Sequence, residues 1–178
     1  ELGVDIKLTS AHLKALKDAH LVASRRVGKY MFYRLSGQDV GHLWVQLREV
    51  AEEHLLELRA ALGDLISEPD ALTGVSRTDL VAKAHAGEIM VIDVRPQAEY
   101  DIAHLPYSQS MPLEEIERRL SELPKDKTIV AYCRGPFCLM SDEAVSLLSA
   151  RGYRVIKLSD GVTEWQAAGL SVQTTNEV

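Results

Sequence analysis

Between residues 38 and 63, apolar side chains recur at three- and four-residue steps: Val40, Leu43, Trp44, Leu47, Val50, Ala51, Leu55, Leu58 and Leu62. The acids Glu49, Glu52, Glu53 and Glu57 fall mainly on the other face. This spacing predicts a long amphipathic helix, apolar enough to pack on a partner. A shorter helix precedes it. Asp5 is its N-cap, Ile6, Leu13 and Leu16 form its apolar stripe, and it ends near Ala19-His20. The runs 21–26 and 30–35 read as two strands, with Val27-Gly28-Lys29 turning between them. From Leu65 to Gly74 the helical period breaks, and Pro69 and Gly74 mark a linker.

After the linker the pattern changes to short apolar runs alternating with helical segments. Ser76-Arg77-Thr78-Asp79 resembles a capping box and opens a helix to about Ala86, closed by Gly87. Residues 88–94 read as a buried strand. A helix around Leu113–Leu123, a strand over 128–132, a helix over 139–151, a strand over 154–158 and a short helix near Val162–Ala168 follow. Such alternation predicts an α/β fold, a parallel sheet covered by helices on both faces, with sites at the carboxyl ends of strands. The expected organisation is residues 1–64 as one domain, 65–74 as linker and 75–174 as a second domain.

Composition narrows the picture. With 178 residues, 46% apolar, the chain can hold two small domains. Two cysteines are too few for a disulfide framework, which points to a reducing, cytoplasmic setting. No apolar run approaches the about 18 residues that suggest a membrane span. Charge is uneven: residues 1–36 carry seven Lys and Arg against three acids, residues 37–75 two against eight, and residues 76–178 eleven against fifteen. The basic excess at the start suggests a polyanion contact within an otherwise acidic protein.

The candidate chemistry lies in Cys133-Arg134-Gly135-Pro136-Phe137-Cys138, between a strand and a helix. Unpaired N–H groups and the helix dipole favour a thiolate there, and the thiolate is the nucleophile. The other reading of Cys133 is a buried structural cysteine, which fits poorly beside Gly-Pro and Arg134.

The run Ser10 to Val22, then Arg25-Arg26-Val27-Gly28-Lys29 and Tyr33-Arg34-Leu35, resembles the winged helix-turn-helix of ArsR-family bacterial repressors. The resemblance implies that Lys7, Thr9, Ser10, Ala11 and Lys14 face the major groove of a double-stranded DNA operator. Arg25, Arg26, Lys29 and Tyr30 would serve the wing. It also implies a homodimer joined through the last helix, whose two-fold axis would match a palindromic operator. His20 stands where the family usually has a helix-ending glycine. Leu2-Gly3-Val4 looks like the end of a preceding helix, so the chain is expected to be truncated at its start, leaving this partial domain with an uncovered apolar face. Some ArsR sensors bind zinc between their last helices. His54-Leu55-Leu56-Glu57 fits half of that pattern, but Asp39 and His42 are misspaced for the other half. No metal and no cofactor is therefore expected.

Residues 74–174 resemble the rhodanese-like domain, through Ile92-Asp93-Val94-Arg95, Glu99-Tyr100, Ala103-His104-Leu105-Pro106, Tyr132-Cys133-Arg134, Asp160-Gly161-Val162-Thr163-Glu164-Trp165 and Gly169-Leu170. The resemblance implies sulfurtransferase chemistry. Cys133 would take sulfur from a sulfane-sulfur donor as a persulfide, cradled by N–H groups of 134–138, and pass it to a thiol acceptor. Arg134 either draws in an anionic donor or is an exposed loop charge. Asp93, Arg95 and Glu99 read as structural support of the loop, Trp165 as core and His104 as structural. Cys138 departs from the commoner family pattern. It is either a resolving cysteine or a small residue that opens the helix, and only the Cα separation can decide between them.

The expected function is thus a DNA-binding regulator whose rhodanese domain carries or senses sulfane sulfur. Two alternatives stand beside it. One is a rhodanese-fold phosphatase or arsenate reductase, which needs Cys-x5-Arg, whereas residue 139 is Leu. The other is a ligand-binding module without turnover.

Overall fold

A computed structural model of the chain describes residues 5–55 and 77–175. The expected helix end at Leu2-Gly3-Val4, the linker Leu65–Gly74, the Ser76 cap and the residues from 56 to 63 lie outside them.

The first helix, α1, spans Ile6–Asp18. The Asp5 carboxylate caps it, accepting from the N–H groups of Lys7 at 2.8 Å and Leu8 at 3.0 Å. At its other end the Leu21 N–H reaches back to Leu16 O at 3.0 Å and the His20 N–H to Lys17 O at 2.9 Å. This is a Schellman ending, and it places His20 in the left-handed region at φ +59°. Strands β1 (Val22–Val27) and β2 (Tyr30–Leu35) pair antiparallel, from Val22 opposite Leu35 to Val27 opposite Tyr30. Gly28, at φ +59°, supplies the turn conformation that a two-residue hairpin loop needs.

Helix α2 covers Gln38–His54, shorter than the 38–63 expected; Leu55 already turns away at φ −101°, ψ 98°. Glu49, Glu52 and Glu53 crowd its last turns, where the helix dipole opposes negative charge. The apolar stripe expected to pack on a partner is not the face it turns inward. Gly41 and Val45 are its buried residues, while Leu43, Trp44, Leu47 and Val50 remain exposed.

The second unit alternates helices α3 (Arg77–His85), α4 (Gln97–Ile102), α5 (Leu139–Ala150) and α6 (Val162–Ala167) with strands β3 (Ile89–Asp93), β4 (Ser108–Ser110), β5 (Thr128–Tyr132) and β6 (Val155–Lys157). The strands form a parallel sheet in the order β4-β3-β5-β6. Alternate residues serve opposite faces. Ile92, Ile129, Ala131 and Cys133 pack with Ala144 and Leu148 of α5. Val91, Val130 and Tyr132 pack with Leu80 of α3 and Trp165 of α6. Both faces are thus covered, as the pattern predicts for a parallel sheet.

The helix expected around Leu113–Leu123 is instead two 3₁₀ turns, Leu113–Glu115 and Leu120–Glu122. The Leu113 N–H is tied to Val94 O at 3.1 Å, and Ile116 and Leu123 are drawn into the core. Pro124 then forces Leu123 out of the helical region, to ψ 132°.

The two units meet where α2 packs on α6. A Cβ at Gly41 would lie 3.2 Å from the Thr163 methyl carbon. His42 Nε2 lies 3.0 Å from Gln166 O. Arg48 pairs with Glu164 at 2.8 Å.

Candidate active site: a two-cysteine loop

Strand β5 delivers the loop. The Val94 N–H holds Tyr132 O at 3.1 Å, and the Leu158 N–H holds Ala131 O at 2.9 Å, so both flanking strands fix its carboxyl end. The Tyr132 side chain adds a closed circuit on the other face. Its oxygen accepts from the Leu105 N–H at 3.1 Å and lies 3.1 Å from Ser108 Oγ, which donates to Leu105 O at 2.7 Å. With the Ser108 proton so used, the Tyr132 hydroxyl donates to Ser108. Burial, reinforced by the nearby Asp93 carboxylate, pushes the Tyr132 phenol far above its ordinary range, so it remains protonated.

Cys133 follows, 1% exposed and part of the core. It is disulfide-bonded to Cys138 across a Cα separation of 6.1 Å, within the usual range of about 4.4–6.8 Å. Between them the chain doubles back, with the Cys138 N–H donating to Gly135 O at 3.1 Å. Cys138 is the N-cap residue of α5, yet its side chain makes no capping bond. The Ser141 hydroxyl donates to Cys138 O at 3.0 Å.

Two glycines let this loop lie on the start of α6. Gly135 is buried at φ +128°, and a Cβ there would be 3.0 Å from both Glu164 carboxylate oxygens. A Cβ at Gly161 would lie 2.6 Å from the Arg134 carbonyl carbon and 2.8 Å from Cys133 O. Glu164 accepts the Gly161 N–H at 2.9 Å. The same carboxylate takes the Arg48 ion pair, and the Arg48 guanidinium stands 5.9 Å from the Phe137 ring centre. On the other side of the loop, Lys157 pairs with Asp142 at 2.6 Å and reaches Pro136 O at 3.4 Å.

The expected support trio is divided. Asp93 and Arg95 form a buried pair at 2.6 Å, and Arg95 also donates to Ala103 O at 2.7 Å. Glu99 instead grips Arg134, at 2.5 and 2.9 Å. The Arg134 charge is thereby answered outside the loop, with Met140 Sδ 3.5 Å from its Nη1. Arg48, Lys157 and Glu164 were not singled out from sequence as site residues. Only Glu164 carries a local sign, because an acid three residues after a helix-opening Gly can reach back to its N–H. Arg48 looks like any helix-surface charge.

Of the expected DNA-facing residues, Lys7, Ser10, Ala11 and Lys14 are exposed on α1, and Thr9 is half-buried with its hydroxyl donating to Asp5 O at 3.1 Å. Lys14 pairs with Asp18 at 2.6 Å. Arg25, Arg26, Lys29 and Tyr30 are all exposed at the hairpin end, where Arg26 donates to Gly28 O at 3.1 Å and the Lys29 ammonium lies 5.3 Å from the Tyr30 ring centre. Among the described residues no three His, Cys, Asp or Glu groups converge as a metal site, and no helix is long and apolar enough to cross a membrane.

This parallel sheet with a cysteine at the end of a central strand is matched by the family model of the rhodanese-like domain over residues 76–168. The chain belongs to the rhodanese-like family. Most of its length is also similar to a longer protein, the HTH-type transcriptional regulator Rv0324 of Mycobacterium tuberculosis: 40% identical over 170 residues, which is 96% of this chain and 74% of that protein. A protein named sulfurtransferase, from Allochromatium vinosum, is 33% identical over 90 residues, half of this chain and 82% of its own length. Among solved structures, the BH2092 protein of Bacillus halodurans is 33% identical with a TM-score of 0.51, over 55% of this chain and 74% of that one.

Proposed function

We propose that the chain is an ArsR-type, winged helix-turn-helix regulator of transcription whose rhodanese domain takes up sulfane sulfur at Cys133 and reports it to the DNA-binding unit. In the reduced protein the Cys133 thiolate attacks the sulfane sulfur of a donor R–S–SH. The donor leaves as RSH, and Cys133 keeps the sulfur as a persulfide beside the loop N–H groups of Arg134, Gly135 and Phe137. Similarity to a named regulator along most of the chain supports the DNA-binding half, as do the exposed basic residues of α1 and the hairpin. The exposed row Leu43, Trp44, Leu47 and Val50 supports a homodimer through α2.

The observation that carries the coupling is the Glu164 carboxylate. It sits against Gly135 of the sulfur loop on one side and pairs with Arg48 of α2 on the other. A loop that changes shape with sulfur cannot do so without altering that pair. The phosphatase or arsenate reductase reading gains no support, because the only loop guanidinium, Arg134, is held by Glu99 and residue 139 is Leu.

The test uses a DNA duplex selected from a random pool by the reduced protein. Polysulfide treatment should change its Kd by at least about fivefold, the lower end of ordinary allosteric coupling. The Cys133→Ser protein should bind with no such change. Equal affinity with and without polysulfide in the native chain would overturn the coupling.

A further inference from the structure

We propose that the loop discharges its own persulfide: Cys138 attacks the Cys133 persulfide, closes the disulfide and sets hydrosulfide free. This makes the rhodanese unit a dithiol persulfide reductase as well as a sulfur acceptor, and it rests on the Cys133 persulfide proposed above.

Four features carry it. First, the two side chains already meet. The bond spans a Cα separation of 6.1 Å with no other element interposed, and the turn from Cys138 N–H to Gly135 O holds the loop in that form. Second, Cys133 is 1% exposed in this closed form and lies within the core cluster. Cys138 is half-buried and adjacent, and an intramolecular thiol has a large advantage in effective concentration.

Third, the bond joins Sγ to Sγ, so Cys138 reaches the inner sulfur of a persulfide. Which sulfur is attacked sets the product. Attack on the outer sulfur would only move the sulfane to Cys138. Attack on the inner sulfur expels the outer one as hydrosulfide. Fourth, the Cys138 side chain does not serve α5 as a cap. It occupies the N-cap, where Ser, Thr, Asp or Asn would satisfy a free N–H, and it makes no capping bond.

The steps balance. Uptake is R–S–SH + Cys133–SH → Cys133–S–SH + RSH. Discharge is Cys133–S–SH + Cys138–SH → Cys133–S–S–Cys138 + hydrogen sulfide. In the second step the Sγ–Sγ bond forms as the bond to the outer sulfur breaks. The outer sulfur leaves with the electron pair, reduced to sulfide, and the two cysteines are together oxidised by two electrons. Two equivalents of a low-molecular-weight thiol then reduce the loop, leaving as their own disulfide.

The experiment mixes the reduced full chain, in excess, with glutathione persulfide, then measures free sulfide and the intact protein mass. The native chain should release about one sulfide per persulfide supplied and gain the internal disulfide. Cys138→Ser and Cys138→Ala should stop at a stable Cys133 persulfide and release at least about tenfold less sulfide. Native chain that accumulates the Cys133 persulfide without the disulfide overturns this proposal alone, as does full sulfide release from both Cys138 variants. If neither Cys138 variant ever acquires sulfur, the Cys133 persulfide itself fails, and this proposal with it.

Discussion

The Tyr132 hydroxyl sits immediately before the two-cysteine loop and bonds both the Leu105 N–H and the Ser108 hydroxyl. Tyr132→Phe leaves the buried Leu105 N–H without its acceptor and removes the donor to Ser108. The expected cost is about 1–3 kcal/mol, read by urea unfolding of the full chain. The phenol also sets a pH dependence. Its value is raised from the ordinary 10.0 by burial, so the unfolded phenol ionises first. The stability this proton supports is complete below about pH 10 and is lost as pH rises further, because the unfolded state then binds fewer protons. Native chain should therefore lose stability above about pH 10 more steeply than Tyr132→Phe. At this scale the sequence made Cys133 and the Asp93–Arg95 pair legible, since each stands in a short local motif. Glu164 and Arg48 were not legible in that role, because their partnership spans more than a hundred residues and nothing local to either announces it.

Helix α1 closes on a histidine in the left-handed conformation, the position at which glycine is most at ease. A side chain there costs about 1–2 kcal/mol, part of which glycine's greater freedom in the unfolded chain offsets. His20→Gly should accordingly raise stability by about 0.5–1 kcal/mol, measured as a shift of the denaturant midpoint at unchanged slope. The Asp5 cap, both hairpin strands, β3, β5 and α5 followed directly from period and capping residues. Strand β4 did not, because Ser108-Gln109-Ser110 carries no hydrophobic alternation and is held by its neighbour's backbone. The 113–123 segment has helical spacing but is pinned by Val94 at one end and turned by Pro124 at the other. Periodicity alone cannot see either constraint.

Across the whole molecule, the Arg48–Glu164 pair is a charged link between the N-terminal unit and the rhodanese domain, and both side chains are nearly buried, at 10% and 4% exposure. Removing Arg48 leaves the Glu164 carboxylate without its counter-charge in a poorly solvated place, whereas Arg48 without Glu164 keeps Glu52 at 3.2 Å. Arg48→Met should cost about 3 kcal/mol, read by urea unfolding. Glu164→Gln keeps an acceptor for the Gly161 N–H, so the double variant should recover much of that loss, with a coupling energy of about 1–3 kcal/mol in a double-mutant cycle. A coupling near zero would mean that this ion pair does not tie α2 to α6. The change of period near residue 65 falls outside the described residues, and the contact of α2 with α6 was not legible in the sequence. The sequence advertised the apolar stripe of α2, but the face turned towards the rhodanese unit is the one bearing Gly41, Val45 and Arg48.

The chain's two tryptophans occupy opposite extremes, Trp44 at 52% exposure on α2 and Trp165 at 1% inside α6's packing. Indole emission shifts to the red in water and to the blue in an apolar cage. One spectrum therefore carries a separate colour for each unit. A blue shift of the red component reports that something has covered α2, and quenching of the blue component reports loosening of the packing around Tyr132.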